Sequence, residues 1–316
     1  MPEAKWGGPV VVIANPAAGR GKARRLVDEA DRLLDRAGVA HTIEISSSGA
    51  ALEALARKAA CSGARVVAAL GGDGTTGSAA NGVLGTETAL VPLPAGTASD
   101  FARALGIASL EDAVRAIVAM RVVPIDVVRV TTAAGRRHYL NVAGCGFDSD
   151  VTETANTMRL TLGGVGTYVV AMLKTLSRFK PASYRIELDD EVVEGPHMLV
   201  VVGNSTTYGG GMKVTPDASV VDGLVDVCLL REMSRPAFLM AFPSVFRGTH
   251  VRHPRVRMAR ARRVSVDADR RVMVYADGER IGPAPVVFEA VAGALPVVVG
   301  AAAAAIVGSQ TTARTA

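Results

Sequence analysis

Two patterns of apolar residues alternate along the first third of the chain. Runs in which nearly every residue is apolar, such as 10–14 and 65–70, alternate with stretches such as 22–37, where apolar residues share one helical face. The first pattern predicts strands buried on both faces, and the second predicts amphipathic helices that cover them. In order, the pattern predicts strand 10–14, helix 22–37, strand 42–45, helix 50–60, strand 65–70, helix 75–84 and strand 88–91. This order predicts an α/β domain on a parallel sheet, with ligands at the carboxyl ends of the strands.

The pattern changes after about residue 126. Strand-like runs now follow one another, and Gly, Pro and Asp turns separate most of them, which is typical of a β-sandwich or barrel. The predicted strands are 127–131, 138–143, 184–188, 197–202, 225–230, 264–267, 271–275 and 286–288, and the predicted helices are 166–177 and 235–246. We therefore predict an α/β domain over 1–126, a β-rich domain over 127–305 whose last strand returns to the first domain, and a tail over 306–316.

Composition narrows the classes of protein that this chain represents. Its three cysteines lie far apart and form no CxxC pair, which excludes a disulfide framework and gives zinc no support. The net charge of +5 is compatible with phosphate ligands or an anionic membrane. The uncharged stretch 290–312 is rich in alanine and glycine, so we predict a last strand over 297–299 followed by a loose tail rather than a membrane span.

Three glycine-rich segments each follow a predicted strand. They are residues 15–22 (Asn-Pro-Ala-Ala-Gly-Arg-Gly-Lys), 71–75 (Gly-Gly-Asp-Gly-Thr) and 94–97 (Pro-Ala-Gly-Thr). Glycine lets the backbone approach a ligand and direct its N–H groups at it, and a helix that starts there adds positive potential. Strands of a parallel sheet end at one edge, so the three segments predict a shared binding edge. The Walker pattern is absent, because Ala23 follows Gly21 and Lys22.

Residues 71–75 resemble the nucleotide loop shared by diacylglycerol kinases, sphingosine kinases, NAD kinases and phosphofructokinases. Residues 93–103 (Leu-Pro-Ala-Gly-Thr-Ala-Ser-Asp-Phe-Ala-Arg) and the Ile-Asp pair at 125–126 resemble the lipid-kinase signature. Further matches are 141–148 (Asn-Val-Ala-Gly-Cys-Gly-Phe-Asp), 209–211, 215–227 and 277–279. From residue 10 to about 300, the chain thus resembles the diacylglycerol kinase catalytic-domain family, which includes soluble bacterial lipid kinases.

The resemblance implies a phosphofructokinase-like α/β domain, a sandwich-type second domain and ATP with Mg²⁺ in the cleft between them. Glu279 would be the general base for a lipid hydroxyl, and Asp73, Asp100 and nearby Asp126 would surround the nucleotide magnesium. A second, structural magnesium would be held by Asp222 and the backbone carbonyls of Ser219 and Leu224. The implied nucleotide-binding residues are Asn15, Ser46, Gly71, Gly72, Asp73, Gly74, Thr75, Thr76, Gly77, Gly96, Thr97, Asp100 and Asp126. The expected location is cytoplasmic, peripheral to the inner face of the membrane.

Other interpretations of the same residues stay open at this point. The Asp-Gly pairs at 222–223 and 277–278 also fit ordinary hairpin turns, and Asp126 also fits a local cap. Thr76, Gly77 and Ser78 depart from the aliphatic residue, Asn and often Glu that follow this loop in the family, and Ser99 replaces its Asn. The rival functions are a small-molecule kinase of the NAD kinase or phosphofructokinase type, and a homologue that binds nucleotide or lipid with impaired catalysis.

A basic run extends over 247–263 and holds arginines and two histidines. It fits either the solvated face of a strand pair or a transient contact with anionic lipid headgroups. Nucleic acid is disfavoured because no aromatic residues are interleaved for base stacking. His250 and His253 lack a third metal ligand at a fitting spacing. The sequence leaves open which lipid is the acceptor, and whether the chain is a monomer or a homodimer.

Overall fold

The computed structural model describes residues 9–15, 23–95, 99–158 and 164–303. The chain divides into two compact units, one formed by residues 1–127 with 292–316 and the other by 128–291. Within the described residues, no helix is both long and apolar enough to cross a membrane. The predicted tail 306–316 lies outside the described residues.

The first unit is built on a parallel sheet in the order β2-β1-β3-β4. Near the end of β15, Val297 pairs with Leu90 of β4, also in parallel. The strands are β1 Val10–Ala14, β2 His41–Ile45, β3 Val66–Gly71, β4 Ala89–Pro94 and β15 Val286–Val298, and the helices are α1 Ala23–Arg36, α2 Gly49–Cys61, α3 Asp73–Val83, α4 Asp100–Ala104 and α5 Leu110–Ala119. All residues of β1 and β3 are buried, as strands covered on both faces require. The prediction of an α/β domain with a parallel sheet is confirmed.

The second unit is built on antiparallel strands in the order β14-β13-β7-β9-β8-β12-β15. In addition, β10 pairs with β9 and β11, and β5 pairs with β15 and β6. Its elements are β5 Val122–Thr132, which begins in the first unit, β6 Gly135–Tyr139, β7 Val142–Gly146, α6 Phe147–Thr157, α7 Gly164–Leu176, β8 Ala182–Leu188, β9 Glu191–Gly203, β10 Val225–Arg231, α8 Arg235–Ala241, β11 Val256–Ala261, β12 Arg263–Ala268, β13 Met273–Ala276 and β14 Glu279–Pro283, with 3₁₀ helices at Phe242–Arg247 and Thr249–Arg252.

Alternating side chains explain the core of this unit. In β8, buried and exposed residues alternate strictly, so one face packs inward and the other meets solvent. The inward faces form one apolar core of mainly Val, Ile, Leu and Ala, which includes Tyr139 and Phe288. A smaller cluster joins α6, α7 and α8, where Phe147, Met172 and Phe238 pack together. The predicted β-rich second domain is therefore confirmed.

Three sequence predictions about this unit are wrong in detail. The strand predicted over 138–143 is two strands, because the N–H groups of residues 140–142 bond to the side chain of Asp277 and leave the ladder. The helix predicted over 235–246 ends at Ala241 and continues as a 3₁₀ helix, since Pro243 lacks the N–H that an α-helix needs. The strands predicted at 286–288 and 297–299 belong to one strand, β15, whose middle is too rich in Ala and Gly to show an apolar run.

Candidate functional site

The turn between β3 and α3 is closely packed. A Cβ at Gly71 would lie 2.2 Å from Oγ1 of Thr75, so the turn requires glycine there. Thr75 is buried, and its Oγ1 accepts a hydrogen bond of 3.3 Å from Asn15, which follows β1. The segments that follow β1 and β3 therefore meet. Gly72 is the N-cap of α3 and, having no side chain, makes no cap bond to the first-turn N–H groups of α3.

Asp73 joins this turn to the start of α4. Its two carboxylate oxygens accept N–H bonds of 3.0 Å from Asp100 and Phe101. Burial raises the pKa of Asp73 to about 6, and the charge of Asp100 adds to the effect, while the two backbone bonds and Arg103 oppose it. The segments after β3 and β4 are thus held together through one carboxylate.

The other predicted acids of this unit are buried and bonded. Asp100 is paired with Arg103. Asp126 accepts a 2.8 Å bond from the N–H of Gly293, a glycine with φ +59°, and so holds β15 beside β5. Ser46 donates its hydroxyl to the carbonyl of Ala14 and ties the end of β2 to the end of β1.

Some predicted nucleotide-binding residues lie inside α3, and others lie outside the described residues. Thr76 donates to the carbonyl of Gly72, and Gly77 accepts from Asn81, so both take part in bonds within this part of the chain. Ser78 is buried in the same helix. The buried hydroxyl of Ser99 has no hydrogen-bond partner among the described residues. Gly96 and Thr97 lie outside the described residues.

Glu279 follows a rigid turn in the second unit. Asp277 and Gly278 have φ of +48° and +82° and join β13 to β14, as in an Asp-Gly hairpin. The carboxylate of Asp277 accepts the N–H groups of Leu140, Asn141 and Val142 at 2.8–3.1 Å. The turn is therefore fixed to the segment between β6 and β7. Glu279 itself is exposed, 3.7 Å from the guanidinium of Arg137.

The predicted structural metal site lies before β10. Asp222 Oδ1 accepts the N–H of Leu224 at 3.0 Å, and the hydroxyl of Ser219 accepts the N–H of Val221 at 3.4 Å. Burial raises the pKa of neighbouring Asp226; Arg260 opposes this, and the charges of Asp222 and Asp217 contribute to it. Among the described residues, no group of three His, Cys, Asp or Glu side chains converges on a metal position.

An apolar pocket opens in the second unit between its sheet and its helices. The space between its walls, counted together with the open solvent at its mouth, is about 700 Å³. Most of its wall is aliphatic, aromatic or methionine side chain, and the lining residues are Phe147, Asp148, Tyr168, Met172, Leu199, Tyr208, Met212, Val214, Cys228, Leu230, Met233, Phe238, Ala241, Phe242, Val245, His250, His253 and Val256. Such a wall accepts hydrocarbon, and its methionines can adapt to chains of different shape.

One carboxylate lies in this apolar wall. Asp148 Oδ1 accepts hydroxyl bonds from Tyr168 at 2.8 Å and from Tyr208 at 2.7 Å. Burial raises the pKa of Asp148, and the two tyrosine bonds oppose this rise. His250 is also buried in the wall, and its Nε2 contacts the carbonyl of Val214 at 3.1 Å. These groups give the pocket a polar spot that can orient a ligand.

The basic run 247–263 separates into two groups. Arg257, Arg260 and Arg263 form ion pairs with Glu191, Asp226 and Glu289, respectively, and line β11 and β12. Within the described residues, Arg247, Arg252 and Arg255 form no ion pair.

Sequence analysis assigned no role to Asp148, Tyr168 or Tyr208, and for Asp277 it offered a hairpin turn but not the three backbone bonds that anchor it. Asp148 and Asp277 stand in glycine-rich motifs, which is a signal that a closer reading could have used. Nothing in the sequence marks the two tyrosines, since they lie 20 and 60 residues from the carboxylate they share.

Comparison with known proteins agrees with this architecture. The family model described as the diacylglycerol kinase catalytic domain matches residues 9–130. The model described as the YegS C-terminal NAD kinase beta sandwich-like domain matches residues 141–299. A diacylglycerol kinase of Mycobacterium tuberculosis (strain ATCC 25618 / H37Rv) is 34% identical over 294 residues, which cover 92% of this chain and 94% of that protein. The diacylglycerol kinase of Bacillus subtilis (strain 168) is 28% identical over 279 residues and 87% and 90% of the two chains.

Solved structures show the same fold. A crystal structure from Bacillus anthracis str. Sterne, assigned to the diacylglycerol kinases, has a TM-score of 0.77 at 25% identity and covers 93% of this chain and 98% of the other. A second from the same strain has a TM-score of 0.72 at 21% identity with the same coverage, and supports the fold alone. The chain therefore belongs to the diacylglycerol kinase catalytic-domain family of lipid kinases.

Proposed function

We propose that this lipid kinase transfers the γ-phosphoryl group of ATP, bound with Mg²⁺, to the hydroxyl of diacylglycerol or a similar lipid, with Glu279 as general base. The observation that carries the lipid part is the almost entirely apolar lining of the pocket in the second unit. A lipid acceptor needs a site that removes hydrocarbon from water, whereas NAD or a sugar phosphate would leave such a wall unused.

The first unit supports the nucleotide part. The first-turn N–H groups of α3 point out of the helix at Gly72, which has no side chain to cap them. A Cβ at Gly74 would meet no atom of the described residues within 4 Å, so the backbone there leaves room for a ligand. Phosphate bound at this helix start would receive N–H bonds and the positive end of the helix dipole. Asn15 and Thr75 would flank it.

Oxygen donors in both units fit magnesium, which prefers carboxylates, carbonyls and water. Asp222 with the carbonyls of Ser219 and Leu224 would hold the structural ion, and Asp73 and Asp100 would supply negative charge near the nucleotide ion. Asp217 and Asp222 lie close enough to Asp226 to act on it electrostatically, and Arg260 is the cation paired with Asp226. Bound magnesium supplies charge neutralisation to the phosphates.

Glu279 would take the proton of the lipid hydroxyl as that oxygen attacks the γ-phosphorus. Its exposure leaves the carboxylate accessible to an acceptor, and the turn fixed by Asp277 limits its positions. The guanidinium of Arg137 lies 3.7 Å from this carboxylate. Tyr168, Tyr208 and Asp148 would orient the lipid from the pocket wall.

The test is transfer of labelled phosphate from ATP with Mg²⁺ to lipids in mixed micelles, with NAD and fructose 6-phosphate alongside. Glu279→Gln should lower the rate on the lipid by about 10²–10⁴ while ATP binding survives. Glu191→Gln is the matched control, because Glu191 also begins a strand after a tight turn and pairs with an arginine, Arg257. It should leave the rate unchanged.

Three other outcomes of this assay would each contradict part of the proposed function. Label on NAD or the sugar phosphate would make the protein a small-molecule kinase. ATP binding without transfer to any acceptor would indicate the impaired homologue that Gly77 and Ser99 suggest. An unchanged rate in the folded Glu279→Gln variant would show that Glu279 is not the general base.

A further inference from the structure

One helical segment beside the pocket is apolar on two faces. It comprises α8 and the 3₁₀ helix that follows, residues 235–247, and we name it the docking segment. Between Arg235 and Arg247 its eleven residues carry no charge, and Ser244 is the one polar side chain. A short helix that is apolar all round is normally buried or lies in a membrane interface.

The inner face of the docking segment belongs to the pocket. Phe238, Phe242 and Val245 line it, and Phe238 stacks edge-on against Phe147. The outer face carries large apolar side chains that remain in water: Leu239 is 39% exposed, Met240 83% and Phe246 43%. An exposed cluster of this size beside a pocket indicates an unoccupied contact surface.

Cationic groups lie at both ends of the docking segment. At its start, Arg231 and Arg255 line one depression with Ser234, the N-cap of α8. At its end, Arg247 closes the 3₁₀ helix and Arg252 follows in the next one.

These arginines lack carboxylate partners in the described part of the chain. None of Arg231, Arg235, Arg247, Arg252 and Arg255 forms an ion pair there. Two carboxylates, Glu194 and Glu232, also line the depression, and Glu194 is paired with Arg185. The net charge around the segment is therefore positive, which complements phosphate headgroups.

We propose that the docking segment inserts its outer face into the anionic leaflet of a lipid bilayer. Met240, Leu239 and Phe246 would enter the hydrocarbon boundary, while the arginines at both ends would bind lipid phosphates. A bilayer supplies both hydrocarbon and surrounding anions, whereas a second copy packed on the same surface would bring like charges together. This inference rests on the proposed function, since the contact would let the acceptor lipid enter the pocket from the leaflet.

The test is cosedimentation of the full chain with vesicles of phosphatidylcholine, with and without about one third phosphatidylglycerol. The double variant Met240→Gln/Phe246→Gln should lose affinity for anionic vesicles by a factor on the order of 10 or more. Arg247→Gln and Arg255→Gln should each weaken binding about fivefold, and to the anionic vesicles only. Val118→Gln is the matched control, because Val118 is 60% exposed on α5 of the other unit, and its affinity should stay unchanged.

A catalytic readout separates this proposal from the proposed function. The double variant should lose phosphorylation of diacylglycerol presented in vesicles but keep that of a short-chain, monomeric diacylglycerol. If no lipid is phosphorylated by any form while vesicle binding still depends on Met240 and Phe246, the proposed function fails and the docking segment stands. Wild-type affinity in the folded double variant would overturn the proposal. So would a change in oligomeric mass with no change in vesicle affinity, since a second copy would then occupy the surface.

Discussion

Asparagine at position 277 would keep the shape of the turn before Glu279 and remove its charge. Asp277 has φ +48°, a conformation that asparagine tolerates well, so Asp277→Asn introduces little backbone strain. The present carboxylate accepts the N–H groups of Leu140, Asn141 and Val142. An amide offers one acceptor oxygen, and its NH₂ would face an N–H donor.

The magnitude follows from these bonds. A hydrogen bond to a charged group contributes about 1.5–3 kcal/mol, and the amide would lose one or two of the three. We expect the free energy of unfolding of the second unit to fall by about 2–4 kcal/mol, or its unfolding temperature by about 5–15 °C. Loosening the turn should also lower kcat about tenfold to a hundredfold, because positioning errors near 1 Å cost that much.

Asp189 provides the matched control. It stands in the turn between β8 and β9 with φ +49°, and its carboxylate accepts the N–H groups of Arg262 and Arg263. Asp189→Asn should therefore destabilise the unit in a similar way. Calorimetry and lipid kinase assays well below the unfolding temperature would compare the two variants. Equal kcat values in both, or an unshifted unfolding temperature for Asp277→Asn, would refute the anchoring role of Asp277.

Three further predictions concern the two units separately. Folding raises the pKa of Asp73 from 3.8 to about 6, so the folded state binds the proton more tightly, and the free energy of unfolding falls as pH rises between those values. Asp73→Asn should remove about 3 kcal/mol of this pH dependence, which unfolding experiments at a series of pH values would measure. Gly71→Ala should lower the free energy of unfolding by about 1–3 kcal/mol and weaken ATP binding, because its Cβ would overlap Thr75. A wild-type unfolding temperature by calorimetry together with wild-type ATP affinity by titration would contradict this. Val245→Trp should fill the pocket and raise KM for a long-chain lipid while KM for ATP stays constant, and an unchanged lipid KM would exclude this pocket as the acceptor site.

The elements that the sequence predicted well are those in which burial follows a regular pattern. β1 and β3 are apolar throughout, and β8 alternates, so each pattern determines which faces are covered. β11 was missed because its apolar residues alternate with arginines inside a basic run, and those arginines find carboxylate partners far along the chain. The exposure of Met240 could not be predicted from the sequence either, since an apolar residue in a helix is usually a core residue.

For the candidate site, the sequence motifs indicated which acidic residues have a structural or functional role, but not which groups each of them bonds. Asp73, Asp126 and Asp277 each accept backbone N–H groups from segments 27, 167 and up to 137 residues away, so each holds the chain together whatever chemistry it also serves. A loss of activity on removing any of the three would therefore combine a structural effect with a catalytic one. Glu279 differs, because its described contact is the exposed guanidinium of Arg137 rather than the backbone. A loss of activity at Glu279 without a loss of stability would consequently assign chemistry directly, and Glu191→Gln measures how much of any loss comes from the surface charge alone.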